Sequence, residues 1–294
     1  MASNSDKHAP HQSGATGPET TGHEWDGIRE YNNPLPKWWV YVFYASIVWS
    51  VGYWVLYPSI PWLNGYFGGL LGYSQRQDLT DQMAAARAAQ ADMRGRIDRA
   101  SLEEILADPD LRAFAVAGGR TAFGDNCAAC HGPGGGGRSG YPILADDDWL
   151  WGGGIQDIHQ TVMHGIRHEG AETRLSEMPA FGADGMLTRP QIADVAEHVL
   201  SLTGRATDAA AAERGASLYA ENCAACHGDR GQGERAMGAP ALDNDIWLYG
   251  GDRAAIVAQI TRPRHGVMPA WSGRLDPVTL KMLAVYVHAL GGGE

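Results

Sequence analysis

Two short strings hold most of the chemistry available to this chain. Cys127-Ala-Ala-Cys130-His131 and Cys223-Ala-Ala-Cys226-His227 contain all four cysteines of the sequence, as two CxxC pairs each followed at once by a histidine. Thiols at this spacing can form thioethers with the vinyl groups of a haem, and the adjacent imidazole is then delivered to the iron as proximal ligand. Each motif therefore predicts one covalently attached haem c. Structural zinc and a thioredoxin-like redox pair are the competing chemistries for CxxC. Zinc does not explain two distant CxxCH copies with matching Met-Pro segments, and a redox pair does not require histidine at the next position.

A proximal histidine leaves the opposite axial position of the iron to another side chain. Nine methionines and nine further histidines could compete for it, and position selects Met178 and Met268. Each precedes Pro-Ala-aromatic, 47 and 41 residues after His131 and His227, and the proline keeps that stretch out of helix so that the thioether can face the iron. Met163, Met186 and Met282 suit core filling better. His168 and His265 are the alternatives, and bis-histidine ligation would lower the potential. The chemistry predicted is outer-sphere electron transfer with no catalytic acid, base or nucleophile. Gly134 to Gly137 superficially suggests a phosphate loop but lacks the preceding strand and the Lys-Ser/Thr that would hold a nucleotide. His159, His164, His198 and His288 sit on helical stretches without metal-ligand repetition and read as packing or surface residues.

The elements that position these residues are duplicated as well. The run from Gly119 to Gly132 matches Gly215 to Gly228 at an offset of 96 residues. Trp149-Leu-Trp-Gly-Gly153 then answers Trp247-Leu-Tyr-Gly-Gly251, the two Met-Pro segments answer each other, and a closing helical stretch over 187–203 answers 275–290. Each copy reads as a helix entering CxxCH, a Gly/Pro loop, a middle helix, an extended Met-Pro stretch and a closing amphipathic helix, with almost no strand signal. The expected class is all-α: one N-terminal transmembrane helix followed by two tandem class I-like cytochrome c domains, over 111–204 and 205–294. Thirty-nine glycines against five phenylalanines fit domains whose interior is filled in part by something other than side chains.

Trp38 to Tyr57 supplies 20 residues without a charge, enough to cross a hydrocarbon core of ~30 Å as a helix. Trp38 and Trp39 at one end, and Tyr53, Trp54 and Tyr57 at the other, suit the two interfaces, and Pro34, Pro36 and Pro58 bracket the span. A cleaved signal peptide would have a short n-region, whereas 37 residues precede this one. Arg29 and Lys37 before the span place the N-terminus in the cytoplasm and the haem motifs in the periplasm of a bacterial inner membrane. Residues 1–25 read as a disordered tail, 26–37 as a juxtamembrane segment, and 58–110 as an interfacial segment followed by one or two exposed helices linking anchor to cytochromes. The net charge of -11 argues against nucleic acid, and the excess of 11 acidic over 6 basic residues across 111–203 would attract a basic redox partner.

With these residues in hand, the chain resembles the dihaem subunit, CcoP or FixP, of cbb3-type cytochrome c oxidase. The specific part is juxtamembrane: Asp26-Gly27-Ile28 with Glu30, then Asn32-Asn33-Pro34-Leu35-Pro36 before Trp38-Trp39, with the anchor ending at Tyr57-Pro58. The resemblance implies a role. The chain would accept electrons from a donor cytochrome c or the bc1 complex and relay them through two covalent haem c groups to the other oxidase subunits. Those are the monohaem cytochrome subunit, the haem-copper subunit that reduces oxygen and a small subunit, all assembled in membrane lipid. A free-standing anchored cytochrome and a dihaem peroxidase are the competing readings.

Overall fold

The computed structural model describes residues 19–294, so the tail expected over 1–25 lies mostly outside the described residues. The chain divides between Arg87 and Ala88 into two compact units.

The first unit opens on a hairpin that corrects part of that expectation. β1 (Thr20–Trp25) pairs antiparallel with β2 (Ile28–Tyr31), with Trp25 opposite Ile28 and Glu24 opposite Arg29. The turn is Asp26-Gly27, and both residues take positive φ, 50° and 85°. That backbone suits the right-handed twist of a hairpin, and Asp-Gly is one of its strongest local signals. A polar, Gly-rich composition had concealed it.

α1 (Lys37–Leu56) is the membrane helix, 20 residues long and one residue earlier than the sequence suggests. None of its residues is buried against protein, as a helix solvated by lipid requires. Its hydroxyls turn inward: Ser46 Oγ donates to the Phe43 carbonyl and Ser50 Oγ to that of Ser46, both at 2.7 Å. The last carbonyls of an apolar helix have no intrahelical donor, and the chain supplies some by folding back. Leu70 N–H reaches Val55 O at 2.9 Å and Leu71 N–H reaches Leu56 O at 3.1 Å. Gly69 permits this approach, since a Cβ there would collide with Leu56 O. Between these contacts β3 (Pro61–Trp62) and β4 (Gly65–Tyr66) form a minimal hairpin that exposes Trp62, Leu63 and Tyr66.

The second unit is helical: the end of α2 (Gln75–Arg99), α3 (Leu102–Ala107), α4 (Pro109–Asn126), α5 (Ala128–His131), α6 (Ile155–His164), α7 (Arg189–Leu202), α8 (Ala209–Asn222), α9 (Ala224–His227), α10 (Arg253–Thr261) and α11 (Pro277–His288). Most starts are written in the sequence. Ser101 and Glu104 form a capping box on α3, Asp108 caps α4 ahead of Pro109, and Asp208, Asp252 and Asp276 cap α8, α10 and α11.

The linker is less exposed than expected. Ile97 and Ile105 are 0% accessible, and with Leu102 they belong to the same core as α4, α6 and α11. Lys281 of α11 secures this end by donating to the Ile97, Asp98 and Ala100 carbonyls at 3.2, 2.8 and 2.7 Å. A cation there offsets the negative end of the α2 dipole. The thin apolar face that looked too weak to pack is a docking stripe, so the compact unit begins before residue 111.

The larger departure concerns the repeats. One core unites α4 and α6 of the first copy with α11 of the second; the other unites α7 of the first copy with α8 and α10 of the second. The boundary between 204 and 205 divides the sequence repeat but not the packing. One lobe is roughly contiguous from 176 to 262, and the other is built from the chain before and after it. Equivalent glycines allow both helix crossings. A Cβ at Gly119 would collide with the Met282 carbonyl on α11, and one at Gly215 with the Asp194 carbonyl on α7.

Glu197 ties the contiguous lobe together from within. It is 1% exposed and accepts from Thr207 N at 2.8 Å, Thr207 Oγ1 at 3.0 Å, Asp208 N at 3.1 Å and Arg253 Nε at 2.7 Å. Burial pushes its carboxyl up, but those donors outweigh burial and hold it down to about 2.

Two outcomes are expected. Gly119→Ala and Gly215→Ala each lower unfolding free energy by about 1–3 kcal/mol in chemical denaturation, because backbone faces backbone at each crossing. Glu197 contributes stability that is complete above its unfolded value near 4.5 and is lost as pH falls toward about 2. Glu197→Gln therefore destabilises at neutral pH by roughly 1–3 kcal/mol and flattens this acid limb of the denaturation midpoint.

Candidate functional site

Each CxxCH segment is a single helical turn set across the end of the preceding helix. His131 N–H bonds Cys127 O and His227 N–H bonds Cys223 O, both at 2.9 Å. Glycine then ends each turn with positive φ, 74° at Gly132 and 79° at Gly228. The loop returns to the motif in both copies, with Gly137 N–H on His131 O at 2.7 Å and Gly233 N–H on His227 O at 2.8 Å. The run from Gly134 to Gly137 is part of this return, as expected of a loop shaped around a site rather than a nucleotide cradle.

One nitrogen of each motif imidazole is held by backbone. His131 Nδ1 lies 3.2 Å from Pro142 O, and His227 Nδ1 lies 2.9 Å from Pro240 O. Such a bond fixes tautomer and ring direction and leaves Nε2 as the available lone pair. Burial lowers the pKa of both histidines, more than the proline carbonyls raise it, which favours the neutral form a metal needs.

The thiols point away from redox-pair chemistry. Burial, with a smaller contribution from Cys130, pushes Cys127 up to about 11, and burial with Cys226 does the same to Cys223. A thioredoxin-like pair needs a lowered thiolate pKa. Among the described residues no group of three or more His, Cys, Asp or Glu is arranged to hold a metal ion, which disfavours structural zinc.

Next to the first motif lies a largely apolar cavity whose lining includes Cys127, Cys130 and His131 together with Met268. The methionine comes from the other copy. An antiparallel bridge brings it there: Ile166 N–H bonds Met268 O at 2.9 Å, and Met268 N–H bonds Ile166 O at 3.0 Å. Arg167, at φ 52°, clamps the same crossing by donating to Gly266 O at 2.6 Å and Ser176 O at 2.9 Å. Met178 is correspondingly packed against the core that holds Tyr219 and Cys223 of the second copy. Both Met-Pro methionines thus stand beside a CxxCH motif, each beside the motif of the other repeat.

Neither His168 nor His265 lines the cavity; the former is half-buried and the latter exposed. Met282 is buried and Met163 packs against the first core, as expected of fillers, whereas Met186 is 54% exposed and fills nothing. His159 is half-buried on α6, His164 ends that helix, His198 packs 5.0 Å from the Tyr219 ring, and His288 Nε2 meets Glu294 O at 3.1 Å.

Three features escaped the sequence. Arg167 on the cavity wall carried no motif. Two buried donors lack any protein acceptor, Trp247 Nε1 and Arg174 Nε, and the Arg174 guanidinium sits 5.3 Å from the ring of Trp151, a cavity residue. Retention of Trp149 and Trp247 in both copies was the available signal, since indole N–H is a donor that burial obliges to find a partner. A flat apolar group edged by carboxylates, attached through paired cysteines between a histidine and a methionine, fits this wall and these unpaired donors. Haem c is such a group.

Comparison with known proteins agrees. Residues 17–64 match the family model for the N-terminal domain of cytochrome oxidase-cbb3, FixP, and residues 114–199 and 210–287 each match that for cytochrome c oxidase, cbb3-type, subunit III. The chain is 57% identical over 286 residues to the cbb3-type cytochrome c oxidase subunit CcoP of Azospirillum brasilense, covering 95% of this chain and 97% of that one. It is 53% identical over 290 residues to the FixP subunit of Sinorhizobium medicae, covering 98% and 99%, and 51% identical over 278 residues to CcoP of Cereibacter sphaeroides, covering 94% and 96%. An anchor helix, two matched cytochrome copies and relatives similar from end to end lead to one conclusion: the chain belongs to the CcoP/FixP family of cbb3-type cytochrome c oxidase subunits.

Proposed function

We propose that this subunit relays electrons from a donor cytochrome c or the bc1 complex, through two covalently bound haem c groups, to the oxygen-reducing core of a cbb3-type oxidase. The observation that carries the reading is the convergence of CxxCH and a Met-Pro methionine on one apolar cavity. Cys127 and Cys130 attach the first haem, with His131 and Met268 as axial ligands. Cys223 and Cys226 attach the second, with His227 and Met178. Ligation is therefore crossed, each methionine serving the motif of the opposite repeat. When bound, haem supplies a one-electron couple between ferric and ferrous iron.

The chain's own part is positional. Pro142 O and Pro240 O aim the imidazoles, and the Ile166–Met268 bridge holds one thioether in place. Apolar walls such as Phe123, Ile158 and Leu283 keep water from the iron. The reading asks no acid, base or nucleophile of this chain. The anchor sits in the bacterial inner membrane with the N-terminus cytoplasmic and the second unit periplasmic, supported by Arg29 and Lys37 on one side of the span. The monohaem subunit, the haem-copper subunit and the small subunit are its partners.

Crossed ligation has a direct test. In a chain whose second motif is disabled by Cys223→Ala and Cys226→Ala, Met268→Leu abolishes the ferric charge-transfer band of thioether-ligated iron in the remaining haem, and Met178→Leu spares it. The reverse pattern would show that each methionine serves its own repeat. The wider role is tested by purification from the membrane: copper and haem b accompany the chain, and the isolated subunit shows only c-type bands with no peroxide turnover. A chain that purifies without them, or reduces peroxide rapidly, belongs to one of the two competing readings.

A further inference from the structure

The two repeats treat one equivalent donor differently. Trp149 and Trp247 hold matching places, after the return loop and before the middle helix of each copy. Trp149 lines the first cavity, and its Nε1–H donates to Gly292 O. The segment around Gly292 is fixed there by several contacts. Glu294 N–H bonds Gly153 O at 3.1 Å, Arg235 pairs with the Glu294 carboxylate at 2.6 Å, and a Cβ at Gly292 would collide with Asp146 O. The chain itself has closed the donor of the first site.

Trp247 has no such partner. It packs against the core that contains Cys223 and has Met178 at its edge, yet its Nε1–H is buried with no acceptor in the protein. The ring is confined, with Gly251 close against its pyrrole edge and the Arg205 guanidinium 5.6 Å from its centroid. Indole nitrogen only donates, and an unpaired buried donor costs about 1–3 kcal/mol. An acceptor supplied by whatever fills the site removes that cost. The strong hydrogen-bond acceptors on a haem periphery are its propionate carboxylates.

We propose that the Trp247 indole N–H donates to a propionate of the haem attached at Cys223 and Cys226, while the matching Trp149 N–H is withheld from the first haem by the Gly292 carbonyl. The inference rests on the haem reading above. The two haem environments then differ by one charge-assisted hydrogen bond, although their attachment motifs are identical. An ionised propionate stabilises ferric more than ferrous iron, and a donor that draws charge from the carboxylate weakens that preference. Trp247 consequently raises the potential of the second haem.

The test uses the full-length chain in detergent, titrated spectroelectrochemically. Trp247→Phe lowers one of the two steps by about threefold in the reduction equilibrium, about 28 mV at 59 mV per tenfold for one electron. The other step stays in place and serves as the internal control, and the propionate bending band in resonance Raman shifts. Unchanged steps and band in a protein that still carries two haems overturn the proposal, as does an equal shift of both steps. Should Trp247→Phe fail to mature, the wild-type ferrous protein labelled with 15N-tryptophan answers instead. A Trp247 indole proton protected from solvent exchange and responsive to propionate titration supports the bond; one that exchanges freely overturns it. The pyridine haemochrome count separates the two levels, because a value other than two haems per chain removes the haem reading itself.

Discussion

Two backbone hydrogen bonds between Ile166 and Met268 determine most of what the second unit can do. They join a loop of the first repeat to the Met-Pro stretch of the second. Once that pairing forms, Met268 stands on the wall of the first cavity, and the chain that follows returns α11 onto α4. The segment from 176 to 262 is left to close on itself. Arg167 seals the crossing with its two carbonyl contacts, paying with a left-handed backbone that few non-glycine residues adopt. Neither lobe can complete its core from one repeat alone, so the halves fold as a single cooperative body even though their sequences read as two.

The crossing also explains what could and could not be read from residues. Motifs, caps and the membrane span were legible because each is a local statement: CxxCH needs five residues, an Asp cap four, a span 20 without charge. The exchange was not, because it is nearly degenerate in pattern. Helices α4 and α8 present equivalent glycines, Gly119 and Gly215, and either closing helix offers backbone to meet them. One signal did exist. Only residues 203–208 separate α7 from α8, and a connection that short makes two helices antiparallel neighbours. That argument pairs the first repeat's closing helix with the second repeat's opening one, against the assumption that repeats are self-contained.

Desolvation sets the remaining constraints, and it acts alike in lipid and in the helical unit. At the end of α1 the carbonyls of Val55 and Leu56 have no water to turn to, so the Leu70 and Leu71 amides answer them. Inside the contiguous lobe, Glu197 is tolerated without accessible surface because two amides, a hydroxyl and a guanidinium surround it. Composition hid both arrangements. A Gly-rich stretch such as 64–72 and a lone glutamate on an amphipathic helix look like solvent-facing chain until the backbone that meets them is known.

A relay gains from two sites that differ, whereas duplication begins with two sites that are alike. The divergence in this chain lies outside the attachment motifs. Tyr219 replaces Phe123 and uses its hydroxyl to hold Gly228 O at 2.9 Å, stiffening the second motif where the first relies on packing alone. The segment after α11 reaches the first site only, engaging Trp149 through Gly292 and Gly153 through Glu294, because the exchanged topology ends the chain in that lobe. The repeat supplied two equal frames, and the crossing made their surroundings unequal: the lobe that receives α11 also receives whatever follows it.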